Sequence, residues 1–287
     1  MTDQIDRKPT LVLGGTGKTG RRIIERLGAL GVPTRLGSRN AEPRFDWEDR
    51  TTWPAALEGT GAVYISYQPD LAVPGAVEAV DELTSLALRK DVRRLVLLSG
   101  RDEEEARRAE QGLQSSGAEW TILRASWFSQ NFSENFLLDA VLSGTVALPV
   151  GDVKEPFIDA DDIADVAVAA LTQVGHEGRL YELTGPRLLT FADAVNAIAE
   201  AANRPIEFVE ITLEQYAEGL QQYGLPQDVA SLVMYLFSTV LDGRSAYLAD
   251  GVQQALGREP RDFTDYAREA AATGVWESQG SRTSSTS

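Results

Sequence analysis

The chain has 287 residues, 43% of them hydrophobic, with a formal net charge of -16 and an isoelectric point near 4.6. That is enough apolar material for a large α/β domain with a smaller companion lobe, while an acidic surface repels phosphate backbones and argues against direct nucleic-acid binding. Cysteine is absent and histidine occurs once, at His176, which excludes disulfides, a thiolate nucleophile and a Cys- or His-based metal site.

Residues 10–16 begin as a short apolar run that stops at glycines, the pattern of a buried parallel strand. Residues 18–30 carry Ile23, Ile24, Leu27 and Leu30 at helical spacing. The alternation then repeats, with strands expected at 33–37, 43–46, 62–66, 93–99 and 119–124, and helices at 51–58, 71–89, 102–116 and 128–142. Strands alternating with helices predict a doubly wound parallel sheet of the Rossmann type, whose carboxyl-terminal strand ends share one ligand-binding edge.

Beyond residue 143 short extended pieces (145–149, 156–159, 178–183, 206–209) mix with helices at 161–173, 190–202, 212–222, 226–241, 247–256 and 262–273. The organisation read from this is an extension at 1–9, a dinucleotide-binding domain at 10–143, a substrate lobe at 144–276 partly woven back into the first sheet, and a small polar tail at 277–287 expected to be disordered. No stretch reaches the roughly 20 apolar residues of a membrane span, and the polar start lacks a signal-peptide core, so a cytoplasmic protein without a membrane partner is expected.

Gly14, Gly17 and Gly20 fall between the first strand and first helix. Glycines there permit a tight turn, close approach of backbone to a pyrophosphate, and close helix–strand packing, while the helix N-terminus offers free N–H groups to phosphate. At the end of the second strand an NAD site usually carries an acid for the ribose hydroxyls; this chain reads Gly37-Ser38-Arg39-Asn40. Arg39 can fork onto a 2′-phosphate and Ser38 can donate to it, with Lys18 adding charge, so NADP(H) is favoured over NAD(H). Asp46 is expected either near the adenine amine or as a cap of the next helix.

Five segments together resemble the NmrA-like atypical short-chain dehydrogenase/reductases, and within them the ergot-alkaloid (agroclavine) dehydrogenase branch and its bacterial relatives. These are Leu13 to Gly20, Gly37 to Arg39, Leu95 to Gly100, Trp120 to Phe132 and Phe157 to Ala167. The resemblance implies that Gly14, Thr16, Gly17, Lys18, Thr19 and Gly20 hold the phosphates. Arg39 would take the 2′-phosphate, Ser66, Tyr67 and Ser99 would flank the nicotinamide half, and Ala125, Ser126, Trp127 and Phe128 would line nicotinamide and substrate. Trp127, Phe128, Asn131 and Phe132 form the expected substrate-binding set. Lysines stand only at 8, 18, 90 and 154, so no Tyr has a Lys four residues later and the usual proton-transfer dyad is missing.

Two functions fit. One is an NADPH-dependent oxidoreductase passing hydride to a small conjugated acceptor such as an iminium, quinone or enone, with Ser99 or Tyr67 as proton donor and orientation as the protein's main contribution. The other is a non-catalytic NADP(H)-sensing regulator acting through a protein partner. Either is expected to be a monomer or homodimer. His176 is expected on the surface, Arg124 in a structural role, and Asp159, Asp161, Asp162 and Asp165 at a helix N-terminus rather than around a metal.

Overall fold

A computed structural model describes residues 8–134, 137–222 and 227–277, the side chain at 228 excepted. The segments 1–7 and 278–287, and with them most of the expected extension and tail, lie outside the described residues. The elements in chain order begin with β1 (Thr10–Leu13), α1 (Lys18–Ala29), β2 (Thr34–Gly37), α2 (Trp53–Leu57), β3 (Ala62–Ile65), α3 (Ala76–Arg89), β4 (Arg94–Gly100), α4 (Glu104–Ser115) and β5 (Glu119–Ala125). There follow α5 (Asn131–Glu134), α6 (Leu137–Ser143), β6 (Thr145–Leu148), β7 (Lys154–Glu155), α7 (Ala160–Thr172), β8 (Arg179–Leu183), β9 (Leu189–Thr190) and α8 (Phe191–Ala201). The last are β10 (Glu207–Glu210), α9 (Leu213–Gln222), α10 (Gln227–Tyr235), α11 (Gly251–Leu256) and α12 (Phe263–Ala272).

The chain folds as two compact units. The first comprises the described residues up to Ala125 together with Ala160–Leu183 and Ala249–Glu259. Its core is a six-stranded parallel sheet in the order β2-β1-β3-β4-β5-β8. Successive strands run to opposite sides of β1, so the crevice at the carboxyl ends of β1 and β3 is the topological switch point where such sheets bind ligands. Leu11, Leu13, Val63, Ile65, Leu95, Leu97 and Ile122 share one core with the buried faces of α2, α3 and α4. On α1, Ile23 and Leu27 are fully buried, each contributing about 1.5–3 kcal/mol by leaving water.

Two expectations fail in this unit for local reasons. Residues 43–46 form no strand; Pro43 removes a ladder donor, and the loop instead closes through Phe45 N–H donating to Ser38 O at 2.9 Å. The helix expected at 71–89 begins only at Ala76, because Pro74 precedes it and Gly75 adopts the left-handed conformation at φ +87°. His176, expected on the surface, is buried: its Nδ1 lies 2.9 Å from the Tyr181 hydroxyl and its carbonyl accepts from Thr121.

The acidic start of α7 is tied down by arginines. Asp161 accepts from Arg22 and Arg26, Asp165 from Arg26 and Arg258, and the fully buried Asp162 from Arg258. These carboxylates therefore fasten α7 to α1 and to the end of α11.

The second unit comprises Ser126–Asp159, Thr184–Leu248 and the described residues from Pro260. It has a parallel β6–β10 pair, an antiparallel β7–β9 pair and a core of aromatic rings, Phe132, Phe157, Phe191 and Phe263 lying 5.1 to 6.2 Å apart, with Trp276 donating to Phe132 O. Residues 126–143, expected with the nucleotide domain, pack here. The apolar stretch 226–241 is helical from Gln227 and ends in one π-helical turn, Leu236–Val240.

Helix α8 opens with a capping box: Asp193 N–H donates to the Thr190 hydroxyl at 3.0 Å and Thr190 N–H donates to the Asp193 carboxylate at 2.9 Å. Thr190→Ala is expected to cost about 1 kcal/mol at neutral pH. The Thr190 backbone N–H first, then its hydroxyl, holds the Asp193 carboxyl below its ordinary value. The Asp193 contribution is therefore complete above that ordinary value and lost as pH falls through the depressed one. Urea titrations should show the gap between the two proteins narrowing in acid without closing, because the bond from Asp193 N–H to the Thr190 hydroxyl does not titrate.

Candidate functional site

The β1–α1 turn is built for close approach. Gly14 is left-handed at φ +64°, and Gly17 N–H donates to Gly14 O at 2.8 Å. A Cβ at Gly20 would lie 2.3 Å from Gly14 O and 2.6 Å from Gly15 Cα, so only glycine lets α1 sit this tightly on the strand end. Gly17 is the N-cap of α1, and no side chain caps the helix. Its first-turn N–H groups and positive dipole end thus have no side-chain cap, the arrangement that suits an anion. Thr16 is exposed, Gly17 and Lys18 are half-buried, and Thr19 is buried, accepting at Oγ1 from the Tyr64 hydroxyl at 2.9 Å. Ser66 closes the far side of the turn, its Cβ and Oγ each 3.3 Å from where a Gly14 Cβ would stand.

At the end of β2 the Ser38 hydroxyl is buried without a hydrogen-bond partner, and Arg39 beside it is exposed. A buried hydroxyl with no partner costs free energy. A ligand oxygen at the strand end would relieve it, so these residues fit a phosphorylated ribose. Asp46 does not cap the next helix, the second of its two expected roles. Its carboxylate accepts from Glu48 N–H at 3.2 Å and Arg44 at 2.5 Å, while Asp49 caps the following helical turn. Around it Phe45, Trp47, Trp53 and Tyr67 form an aromatic cluster, the Trp47 and Tyr67 rings 4.7 Å apart.

Tyr67 is half-buried, and burial followed by the Glu48 charge pushes its phenol above the usual value. It can donate a hydrogen bond but is a poorer acid than free tyrosine. Ser99 does not stand ready as a proton donor. It is only 4% exposed, and its hydroxyl donates to Glu110 Oε1 at 2.6 Å. Glu110 also receives Arg124 Nε at 2.9 Å, and Arg124 reaches Glu182 at 2.8 Å. Ser99, Glu110, Arg124 and Glu182 are thus one network joining α4, β4, β5 and β8, in keeping with a structural Arg124. Ala125 ends β5 buried, its carbonyl accepting from Arg101 N–H at 3.2 Å.

The substrate-set residues lie in the second unit. Trp127 O accepts from Ile158 N–H, and Ser129 N–H donates to Ile158 O, both at 2.9 Å, so Phe128 pairs with Ile158 as a parallel bridge. Ser126 donates to Pro156 O, and Gln130 to Asp159 at 2.7 Å. Trp127, Phe128 and Asn131 keep partial exposure. Phe132 has none. It is the centre of the aromatic core, where full burial leaves no surface for a substrate.

Sequence reasoning missed a pair of acids. Asp70 follows β3 and Glu103 follows β4, neighbouring strands, and burial first, then the Asp70 charge, raises the Glu103 carboxyl well above its ordinary value. The signal was an acid at a helix N-cap three residues after a strand-ending glycine, masked by the run Asp102 to Glu105.

A family model described as NAD(P)H-binding matches residues 14–174. The chain belongs to this NAD(P)H-binding family. Over most of its length it is also similar to agroclavine dehydrogenase of Claviceps fusiformis, 34% identical over 89% of this chain and 95% of the relative. It is 31% identical to the NAD(P)H azoreductase of Xenophilus azovorans, over 91% of this chain and 98% of that one. Its fold is that of an NADPH-dependent quinone oxidoreductase from Escherichia coli, with a TM-score of 0.74 at 20% identity, covering 91% and 99% of the two chains. The chain is an NAD(P)H-dependent oxidoreductase, and its fold is also that of an NmrA variant, with a TM-score of 0.67 at 15% identity. Among the described residues no helix is long and apolar enough to cross a membrane.

Proposed function

We propose that the protein uses NADPH to reduce a small conjugated acceptor, an iminium, quinone, enone or azo compound, without a Tyr-x-x-x-Lys dyad. The bound coenzyme supplies a hydride. The amides of Thr16 to Thr19 and the glycine turn bind its pyrophosphate, Ser38 and Arg39 hold the 2′-phosphate, and Ser66 and Tyr67 fix the nicotinamide half. Trp127, Phe128 and Asn131, on the segment leaving β5, hold the acceptor, the aromatic rings stacking on a flat conjugated group.

The observation that carries the coenzyme preference is the partnerless buried Ser38 hydroxyl beside Arg39, at a strand end with no acid. Calorimetric titration should show NADPH binding at least about tenfold more tightly than NADH, a difference near 1.4 kcal/mol. Arg39→Ala should bring the two affinities together. Equal affinities in the unsubstituted protein would remove the role given to Arg39. Optical following of NADPH consumption across iminium, quinone, enone and azo compounds tests the acceptor class; no turnover with any of them would contradict it.

A further inference from the structure

Tyr64 is the third residue of β3, and its side chain is fully buried. Side chains alternate across a strand. Val63 and Ile65 point into the core shared with α2, α3 and α4, so Tyr64 points to the other face of the sheet, where α1 packs on β1 and against α7. Filling that space needs the ring alone, since a phenylalanine would leave no hydroxyl to satisfy. The hydroxyl instead meets the Thr19 side chain, 2.9 Å away on the first turn of α1. We propose that Tyr64 is a coenzyme-positioning residue, whose phenol turns the Thr19 hydroxyl onto the coenzyme's pyrophosphate. This rests on the coenzyme site described under the proposed function.

The direction of that bond decides what Thr19 can do. A threonine hydroxyl has one hydrogen to donate and two lone pairs to accept with. The phenol is the more acidic of the two groups, so it donates and Thr19 Oγ1 accepts. Burial, with the Thr19 bond working against it, raises the phenol well above its ordinary value, so Tyr64 keeps its proton and remains a donor at neutral pH.

The Thr19 hydrogen must therefore go elsewhere. A threonine inside a helix often donates to the carbonyl four residues back, as Thr172 does to Val168 O at 2.7 Å. Four residues before Thr19 lies Gly15, ahead of the helix, and among the described residues no group accepts from the Thr19 hydroxyl. Thr19 is only 4% exposed, so water is a poor substitute. Its backbone N–H is the second of α1 and has no intrahelical acceptor either. One residue thus holds an amide and a hydroxyl hydrogen at the uncapped end of α1, and a phosphate oxygen accepts both. The two hydroxyl bonds then run in one sense, from phenol to threonine to phosphate, and each polarises the next.

Calorimetric titrations with NADP⁺ and with 2′-AMP, which has no pyrophosphate, test this. Thr19→Val keeps the shape and removes the hydroxyl, and should weaken NADP⁺ binding about tenfold, the scale of a hydrogen bond to a charged group. Thr19→Ser should retain most of the affinity. Tyr64→Phe should weaken NADP⁺ binding about threefold, because Thr19 keeps its hydroxyl and loses its orientation. Placed on Thr19→Val, Tyr64→Phe should have no further effect. None of these variants should change the affinity for 2′-AMP, and that retained binding also shows that each is folded. Three results would make the phenol a mere brace of the fold and overturn the proposal: NADP⁺ affinity unmoved by Tyr64→Phe, the same loss with Thr19→Val already in place, or an equal loss for 2′-AMP. If the unsubstituted protein bound no NADP⁺, the coenzyme site itself would fall and the proposal with it.

Discussion

Gly20→Ala is expected to weaken NADPH binding at least tenfold and to destabilise the fold by about 1–3 kcal/mol, the usual cost of forcing a methyl group into packed structure. The clash is with backbone, Gly14 O and Gly15 Cα, which no rotamer change relieves. Either α1 moves off the strand end, carrying its N–H groups away from the phosphates, or the left-handed turn at Gly14 opens. Gly28 on the same helix is the control. Nothing lies within 4 Å of a Cβ added there, so Gly28→Ala should stabilise by roughly 0.5–1 kcal/mol through helix propensity and leave affinity unchanged. Calorimetry with NADPH and urea unfolding of the two variants check both statements. Equal behaviour of the two would remove the turn from the binding site.

The second large effect is expected at Arg124. Glu110 is 2% exposed and holds the Ser99 proton and the Arg124 fork together. Arg124→Met leaves that carboxylate buried without its cation and should cost about 3–5 kcal/mol. Adding Glu110→Gln should recover much of the loss, because the uncompensated charge goes with it. A double-mutant cycle by urea denaturation reads the coupling directly. Additive single effects would mean that the two side chains do not act as a pair.

The nucleotide half of the molecule was legible because its signals are local. A glycine turn between an apolar run and an amphipathic helix spans about ten residues, and its geometry follows from the absence of Cβ atoms. The missing acid after Leu36-Gly37 is equally local. The parallel sheet followed from alternation. Its edges were less visible: β8 and α11 return to the first unit after long excursions, and residues 126–143 leave it, because no composition change marks where the chain passes between units.

Side-chain roles were harder to read than backbone ones. Ser99 ends a strand where a proton donor is expected, yet the sheet sets it against Glu110, eleven residues on, and the contact depends on how α4 packs. Phe132 shares a run with Trp127 and Phe128, but one turn of helix swings it into the core. Asp70 and Glu103 are thirty-three residues apart, and only the adjacency of β3 and β4 joins them. In the sequence Glu103 reads as one acid among four at a helix start, where carboxylates usually serve the dipole.

Amide chemical-shift mapping with NADP⁺ tests the central claim most directly. Saturable shifts should be largest at Thr16 to Thr19 and at Ser38 and Arg39, with Ser66 and Tyr67 following and the second-unit core around Phe132 little affected. Saturable binding that leaves the β1–α1 turn unmoved, or no binding at all, would contradict it.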